Sequence, residues 1–143
     1  MREPEPAPDN QHIRIKIISP QKTVLMAEVD KVLLPCFNGD LMILPRHAPC
    51  FCAIKAGKLL IYDKGKIIPV IVSDGVAEIR RNICAVLAWG MLCDDIKRPE
   101  VEAQLAATEK LLKTIHTSEK QMEVLARVRF LNLLKAELDA RGE

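Results

Sequence analysis

The sequence predicts an N-terminal domain of short antiparallel β-strands, a sandwich or a flattened barrel, followed by a C-terminal pair of helices. Apolar and polar residues alternate over short segments as far as Trp89, and turn-forming residues separate these segments at close spacing. From Pro99 onward, apolar residues recur at helical spacing instead. We therefore expect a disordered tail at 1–10, a β-domain at 11–92 and a helical hairpin at 93–143.

The alternation is clearest in the first predicted strand, where Ile13, Ile15 and Ile17 occupy one face. Further strands are predicted at 23–26, 28–34, 41–44, 50–54, 58–62, 66–72, 76–80 and 83–89. Pro69 cannot donate a hydrogen bond to a sheet, so we expect its strand to lie at an edge or to contain a bulge. Segment 83–89 is apolar on both faces, so its outer face requires a cover, either the C-terminal segment of the chain or a partner.

The C-terminal part shows two helical segments joined by a short polar stretch. Pro99 suits the first turn of a helix. The apolar stripe of that helix contains Val101, Leu105, Leu112 and Ile115. Ser118 and Gln121 have the spacing of a capping box, so a second helix is predicted from Ser118 to about Ala140. Because the connection is short, the two helices should be antiparallel.

The composition excludes several classes of protein. The chain has 143 residues, of which 49% are hydrophobic and 3% aromatic, enough for an aliphatic core. A net charge of +2 is too small to predict nucleic-acid binding, and no apolar run is long enough to predict a membrane span. We expect no signal or transit peptide at the N-terminus. The five cysteines follow no disulfide framework, so we expect reduced thiols in a cytosolic compartment.

One polar corner interrupts the predicted strands. It contains a tight turn and then a loop bounded by prolines: Asn38, Gly39 and Asp40, followed by Pro45, Arg46, His47 and Pro49. His47 either forms a hydrogen bond to nearby backbone or contacts a partner. The basic residues of the second helix, Arg127, Arg129 and Lys135, form either a solvated face or a contact with an acidic partner.

No sequence motif indicates catalysis. The chain has no P-loop, dinucleotide-binding or nucleophile-elbow motif, and no pattern that indicates a catalytic triad. A metal site could in principle use His47, Cys50 and Cys52, with Cys36. The paired cysteine spacing of structural zinc sites is missing, however. We therefore expect buried thiols, no metal, no cofactor and no catalytic residue.

Five blocks of the chain resemble, in the same order, the epsilon subunit family of F-type ATP synthases. The blocks are 15–22, 28–35, 39–49, 53–59 and 72–80. The third block matches G-E-L-G-I-L-P-G-H-A-P, except that Asp40 replaces the glutamate and Met42 and Arg46 replace two glycines. The resemblance covers nearly the whole chain beyond the tail. It implies an antiparallel β-sandwich of about ten strands followed by a two-helix hairpin.

The resemblance also implies a function. Members of this family lie in the central rotor stalk of the proton-translocating enzyme, where they bind the gamma subunit and the polar loops of the membrane c-ring. They help to couple proton flow to ATP synthesis and are not themselves catalytic. For this chain we expect peripheral attachment without membrane insertion. The expected location is the cytoplasmic face of a bacterial inner membrane, because the acidic N-terminus is not an import signal.

Candidate partner-binding residues of the β-domain follow from the same resemblance. The turn that carries Gly39 and Asp40 matches the family segment that faces the c-ring loops, and His47 matches one near gamma. We include their neighbours Asn38 and Arg46 as further candidates, although Arg46 replaces a glycine of the family pattern. The alternatives are a stand-alone protein-binding module of the same fold and a small metal-dependent enzyme built on His47 and the cysteines. The strand that is apolar on both faces speaks against a stand-alone module.

In bacterial relatives, the helical hairpin can extend towards the catalytic head and inhibit ATP hydrolysis. The resemblance implies that Arg127, Arg129 and Lys135 would then meet an acidic segment of the beta subunit. Some relatives bind ATP at the start of the first helix. Here Lys97 and Glu100 reverse the charges of that ATP-binding segment, so we expect ATP binding to be absent or weak.

Overall fold

The computed structural model describes residues 10–142, which form two compact units. The first unit extends to Cys93 and contains ten described β-strands, and the second begins at Asp94 and contains two α-helices. This order confirms the predicted β-sandwich followed by a pair of helices. Apart from Asn10, the predicted disordered tail lies outside the described residues.

The strands form two five-stranded sheets. They are β1 (Ile13–Ile18), β2 (Thr23–Val29), β3 (Lys31–Leu34), β4 (Leu41–Ile43), β5 (Cys50–Ile54), β6 (Gly57–Asp63), β7 (Lys66–Val72), β8 (Gly75–Arg80), β9 (Ile83–Leu87) and β10 (Gly90–Leu92). The strand order is β2-β1-β9-β8-β5 in the first sheet and β10-β7-β6-β3-β4 in the second. The pairing of β1 with β9 is parallel, whereas the other described pairs are antiparallel.

The core of the first unit is aliphatic, as its low aromatic content predicts. Alternation along β1 buries Ile13, Ile15 and Ile17 completely. Apolar residues of the facing sheet, among them Val32 and Leu59, are equally buried in the same cluster. The period-two pattern of the sequence therefore identifies the inner faces of both sheets.

Two predictions about individual strands need correction. Strand β7, which contains Pro69, is not an edge strand, because it pairs with both β6 and β10. Strand β10 reaches only Val70–Val72, so Pro69 lies outside the stretch of β7 that pairs with β10. The predicted strand 83–89 is also too long, because β9 ends at Leu87 and the chain then crosses to the second sheet, where β10 begins at Gly90. Two hydrogen bonds hold this crossing, from the Trp89 N–H to Ser73 Oγ and from the Ser73 N–H to the Trp89 carbonyl, both at 2.9 Å.

The second unit is an antiparallel helical hairpin. A 3₁₀ turn at Cys93–Asp95 precedes α1 (Arg98–Leu112), and α2 spans Ser118–Arg141. The Arg98 guanidinium donates a hydrogen bond of 2.6 Å to Asp139 Oδ1. The beginning of α1 therefore lies beside the end of α2, as the short connection predicts.

The predicted cap of α2 is wrong by one residue. Thr117 is the N-cap, and no side chain caps the helix. The Gln121 amide instead donates a hydrogen bond of 2.9 Å to the carbonyl of Ile115, in the connecting segment. At the other end, Gly142 has a left-handed conformation (φ 74°) that suits the residue after a helix.

Candidate functional site

The predicted Asn38–Gly39 turn lies beside strand β5. Cys36 forms a β-bridge with Ile54, and the N–H of Gly39 donates to the carbonyl of Cys36 at 3.0 Å, which closes the turn. Gly39 has φ 110°, a conformation that side chains disfavour. Asn38, Gly39 and Asp40 are all exposed, so the turn presents polar groups to the solvent.

The proline loop is held against the β8–β9 turn. Arg81 and Asn82 form this turn, both with positive φ, as a two-residue hairpin connection requires. Asn82 Oδ1 accepts a hydrogen bond from the backbone N–H of Arg46 at 2.8 Å, and its Nδ2 donates to the carbonyl of His12 at 2.6 Å. Arg46 has φ 64°, in the left-handed region that favours glycine, and its side chain is exposed.

His47 is half-buried and makes local hydrogen bonds. Its backbone N–H donates to the carbonyl of Leu44 at 3.1 Å, and its Nδ1 lies 2.7 Å from the carbonyl of Ala48. A carbonyl only accepts, so Nδ1 carries the proton in this contact. The hydrogen bond to nearby backbone is thus present, and it orients the imidazole at the edge of the corner.

An open cleft of about 450 Å³ lies between the turn and the proline loop. Four predicted partner-binding residues line it: Asn38, Gly39, Asp40 and His47. Its lining also includes two exposed aromatic residues that were not predicted, Phe37 and Phe51, which are 58% and 78% exposed. The exposure of Phe51 could have been predicted from the sequence, because segment 50–54, like segment 83–89, is apolar on both faces.

Three cysteines, Cys36, Cys50 and Cys52, also line the cleft, and all three are partly exposed free thiols. The prediction of buried thiols is therefore wrong for these residues, although Cys84 and Cys93 are buried. Burial, followed by the influence of the neighbouring thiols Cys36 and Cys50, raises the pKa of the Cys52 thiol to about 12. Burial likewise raises the pKa of Cys36. These two thiols are therefore protonated at neutral pH.

The outer face of the first sheet carries an apolar row. Cross-strand register aligns Ala53 on β5 with Val76 on β8, Leu87 on β9 and Ile18 on β1. Val76 and Leu87 are 47% and 51% exposed, and Phe51 lies on the same face two residues before Ala53. Contiguous exposed apolar residues of this kind mark interaction surfaces. The sequence predicted an apolar outer face for segment 83–89 but not its neighbours.

The three predicted basic residues of α2 differ in their surroundings. Arg127 is half-buried; its guanidinium donates to Gln104 Oε1 at 2.9 Å and lies 5.8 Å from the ring centroid of Phe130. Burial lowers the pKa of Arg127. Arg129 is exposed and Lys135 is half-buried. Arg127 thus takes part in the packing of the hairpin.

Within residues 10–142, no three histidine, cysteine or acidic side chains are grouped as a metal site. Neither described helix combines the length and the apolar composition that crossing a bilayer requires. The chemistry that the described corner offers is that of a contact surface, with a polar turn, two exposed aromatic rings and an adjoining apolar row.

Comparison with known proteins identifies the family. The family model of the ATP synthase delta/epsilon chain β-sandwich domain matches residues 12–92. The ATP synthase epsilon chain of Gloeobacter violaceus is 34% identical over 130 residues, which are 91% of this chain and 97% of the relative. That of Desulforamulus reducens is 32% identical, covering 86% of this chain and 95% of the relative. A chain of the Euglena gracilis mitochondrial ATP synthase shares the fold at 12% identity, with a TM-score of 0.59 and coverage of 96% of this chain and 89% of that one. The protein therefore belongs to the family of ATP synthase delta/epsilon chains.

Proposed function

We propose that this chain is a central-stalk subunit of a proton-translocating ATP synthase and has no catalytic residues of its own. One observation carries the proposal: epsilon chains of ATP synthases match it over 97% and 95% of their own length. In this role the protein couples rotation of the c-ring, through the gamma subunit, to ATP synthesis in the catalytic head. It is attached peripherally, at the cytoplasmic face of a bacterial inner membrane.

The gamma subunit is the proposed cover of the apolar row. Phe51 is 78% exposed and Leu87 is 51% exposed, and burying a large apolar side chain contributes about 1.5–3 kcal/mol. Arg46 and His47 lie in the adjoining corner and would contact gamma at the polar rim of the same surface. The apolar outer face of β9, which the sequence left without a cover, supports this assignment.

The polar loops of the c-ring are the proposed partners of the Asn38–Asp40 turn. All three of its residues are exposed, and the hydrogen bond from Gly39 to Cys36 gives the turn a defined shape. A turn that is rigid before binding loses little conformational entropy in a contact.

The helical hairpin is proposed to act as a brake on ATP hydrolysis by extending towards the beta subunit. In the compact hairpin, Arg127 is bonded to Gln104 of the other helix. Separation of the helices would release the Arg127 guanidinium, so that it could meet an acidic segment of beta alongside Arg129 and Lys135. In this proposal, Arg127 cannot contact Gln104 and the beta subunit at the same time.

Co-purification with gamma tests the stalk assignment. Phe51→Ser and Leu87→Ser in the full chain should each weaken gamma binding by about tenfold or more, because they remove apolar area from the proposed interface. Ile67→Ser is the matched control, since Ile67 is 56% exposed on β7 of the other sheet. Equal losses in all three variants would refute the apolar row as the gamma site. If the wild-type chain fails to bind gamma, the stand-alone module replaces the stalk assignment.

ATP hydrolysis by a reconstituted head with gamma tests the brake. The full wild-type chain should inhibit ATP hydrolysis. The variant R127Q/R129Q/K135Q should inhibit it less, although it still binds gamma. The control K110Q/K113Q/K120Q removes the same charge from exposed positions around the connection of the two helices: the last turn of α1, the residue after α1 and the first turn of α2. This control should inhibit ATP hydrolysis as the wild type does. Unchanged inhibition by the first triple variant contradicts the assignment of these residues to the beta contact.

A further inference from the structure

The Asn38–Gly39 pair lies in an open part of the protein surface. Both residues are exposed and line the cleft, so water reaches the turn. A Cβ atom at Gly39 would meet nothing within 4 Å beyond its chain neighbours, so the backbone there is not crowded. Within residues 10–142, no hydrogen bond holds the side-chain amide of Asn38. This amide can therefore turn towards the backbone nitrogen of Gly39.

An asparagine followed by a glycine permits a reaction within the chain. The Gly39 nitrogen can attack Cγ of the Asn38 side chain once hydroxide has removed its proton, because the two atoms then close a succinimide ring. A side chain on the second residue would hinder this approach, and glycine has none. Because both reacting groups belong to one chain, no bimolecular encounter is needed and the reaction is accelerated. The sequence and the open surroundings therefore favour the same chemistry.

The hydrogen bond that closes the turn slows this reaction but does not prevent it. The Gly39 N–H donates to the Cys36 carbonyl at 3.0 Å, so its nitrogen reacts only while this bond is broken. The bond lies in an exposed turn next to a single β-bridge, beside the edge strand β5. Exposed segments at the edge of a structure open locally at little cost in free energy. We therefore expect reaction in the folded protein, at a lower rate than in the unfolded chain.

Three other candidate positions are protected by their surroundings. The polar atoms of the Asn82 side chain both take part in hydrogen bonds with distant backbone groups. Asn132 lies within α2, where the helical hydrogen bonds hold the next backbone N–H. Asp74 also precedes a glycine, but its Oδ1 accepts a hydrogen bond of 2.7 Å from the Ala56 N–H. Of these four positions, Asn38 combines a side chain that no hydrogen bond holds with a following glycine.

We propose that Asn38 is a site of spontaneous deamidation. Hydroxide takes the proton of the Gly39 N–H, a bond forms between that nitrogen and Asn38 Cγ, and the bond from Cγ to Nδ2 breaks. The leaving nitrogen takes a proton from water and departs as ammonia, which restores the hydroxide. A water molecule then opens the ring at either carbonyl and leaves aspartate or isoaspartate at position 38. No group is oxidised or reduced.

The modification changes both the charge and the backbone of the turn. Either product adds a negative charge close to that of Asp40. Isoaspartate also adds a carbon atom to the backbone, which would displace the Gly39 N–H from the Cys36 carbonyl. Deamidation itself does not depend on the proposed function in the stalk. The added charge would lie on the turn that is proposed to contact the c-ring loops.

Incubation of the folded full chain in mildly alkaline buffer for several weeks, followed by peptide mass spectrometry, tests the site. The peptide that contains Asn38 should gain about 1 Da as its amide becomes a carboxylate. Enzymatic methylation specific for isoaspartate should label the same peptide. Asn38→Gln is the matched control, because it keeps the amide but requires a larger ring, and its modification should be about tenfold slower or more. The peptides with Asn82, Asn132 and Asp74 are internal controls and should remain unmodified.

Circular dichroism of the incubated samples establishes that the chain stays folded. The chain unfolded in urea should react faster, since unfolding breaks the hydrogen bond from Gly39 to Cys36. Three results would overturn the proposal: an amide that persists at Asn38 in the folded wild type, equal modification of Asn38 and Asn82, or an equal rate of modification in Asn38→Gln.

Discussion

Asn82 accepts a hydrogen bond at 2.8 Å from the backbone N–H of Arg46, 36 residues earlier in the chain. Its amide nitrogen donates at 2.6 Å to the carbonyl of His12, at the entrance to β1. One side chain thus connects the β8–β9 turn, the proline loop and the first strand. The corner that carries His47 is therefore held by long-range hydrogen bonds in addition to its prolines.

Replacement of Asn82 should destabilise the β-sandwich unit. Asn82→Gly keeps the freedom to adopt φ 63° but removes both side-chain hydrogen bonds, and it should cost about 1–3 kcal/mol in the free energy of unfolding. Asn82→Ala should cost more, because alanine also disfavours the left-handed conformation. Urea denaturation followed by circular dichroism measures both. Equal stability of Asn82→Gly and the wild type would show that the two hydrogen bonds contribute nothing.

Arg46→Gly should stabilise the protein by about 0.5–1 kcal/mol. Arg46 has φ 64°, where a side chain costs energy and glycine does not. Arg46→Ala is the matched control, since it removes the charge but keeps the strain, and its midpoint of urea denaturation should equal that of the wild type. If Arg46→Ala is also more stable than the wild type, the stabilisation by Arg46→Gly comes from the loss of charge and not from the backbone conformation.

Gly75→Ala should destabilise the first sheet by about 2 kcal/mol or more. A Cβ atom at this position would lie 2.2 Å from the Leu87 carbonyl oxygen and 2.8 Å from Ala88 Cβ, so the paired strands β8 and β9 would have to move apart. Gly65→Ala provides the comparison, because a Cβ atom at Gly65 would meet nothing within 4 Å. Its loss of stability comes only from the φ of 77°, which a side chain disfavours. The melting temperature of Gly75→Ala in thermal unfolding should therefore be well below that of Gly65→Ala.

Stability should decrease as the pH rises above about 9. Burial raises the pKa of Cys84 in the folded protein from 9.0 to about 12, so the folded state keeps its proton while the unfolded state loses it. The contribution of this thiol is complete below pH 9.0 and is lost progressively between there and about 12. The free energy of unfolding of the wild type should fall more steeply with pH in this window than that of Cys84→Ala. Parallel slopes in urea titrations across the window would contradict the prediction.

Saturable ATP binding should be absent at submillimolar concentration. Lys97 is the N-cap of α1, and the Arg98 guanidinium is engaged with Asp139 at 2.6 Å and with Glu102 at 3.6 Å. The one arginine at the start of this helix is therefore already paired with carboxylates. Isothermal titration of the full chain with ATP and Mg²⁺ checks this, and Asp139→Asn shows whether release of Arg98 is sufficient to create binding.

Local patterns in the sequence determined much of this molecule. The alternation of Ile13, Ile15 and Ile17 specifies a strand with one buried face, and the change of period after Asp94–Asp95 specifies where helices begin. Block 39–49 and its companions were sufficient to indicate the family. These features were readable because each is encoded over a few consecutive residues, where side-chain periodicity mirrors backbone geometry.

The tertiary structure alone decided which distant residues meet. The β-bridge from Cys36 to Ile54 brings Cys36 beside the end of β5, and the β8–β9 turn brings Asn82 to Arg46. Register across β5, β8 and β9 likewise joins Ala53, Val76 and Leu87 into one row. Strand periodicity states which face a residue occupies but not which strand lies beside it, because that choice depends on the packing of the whole sheet.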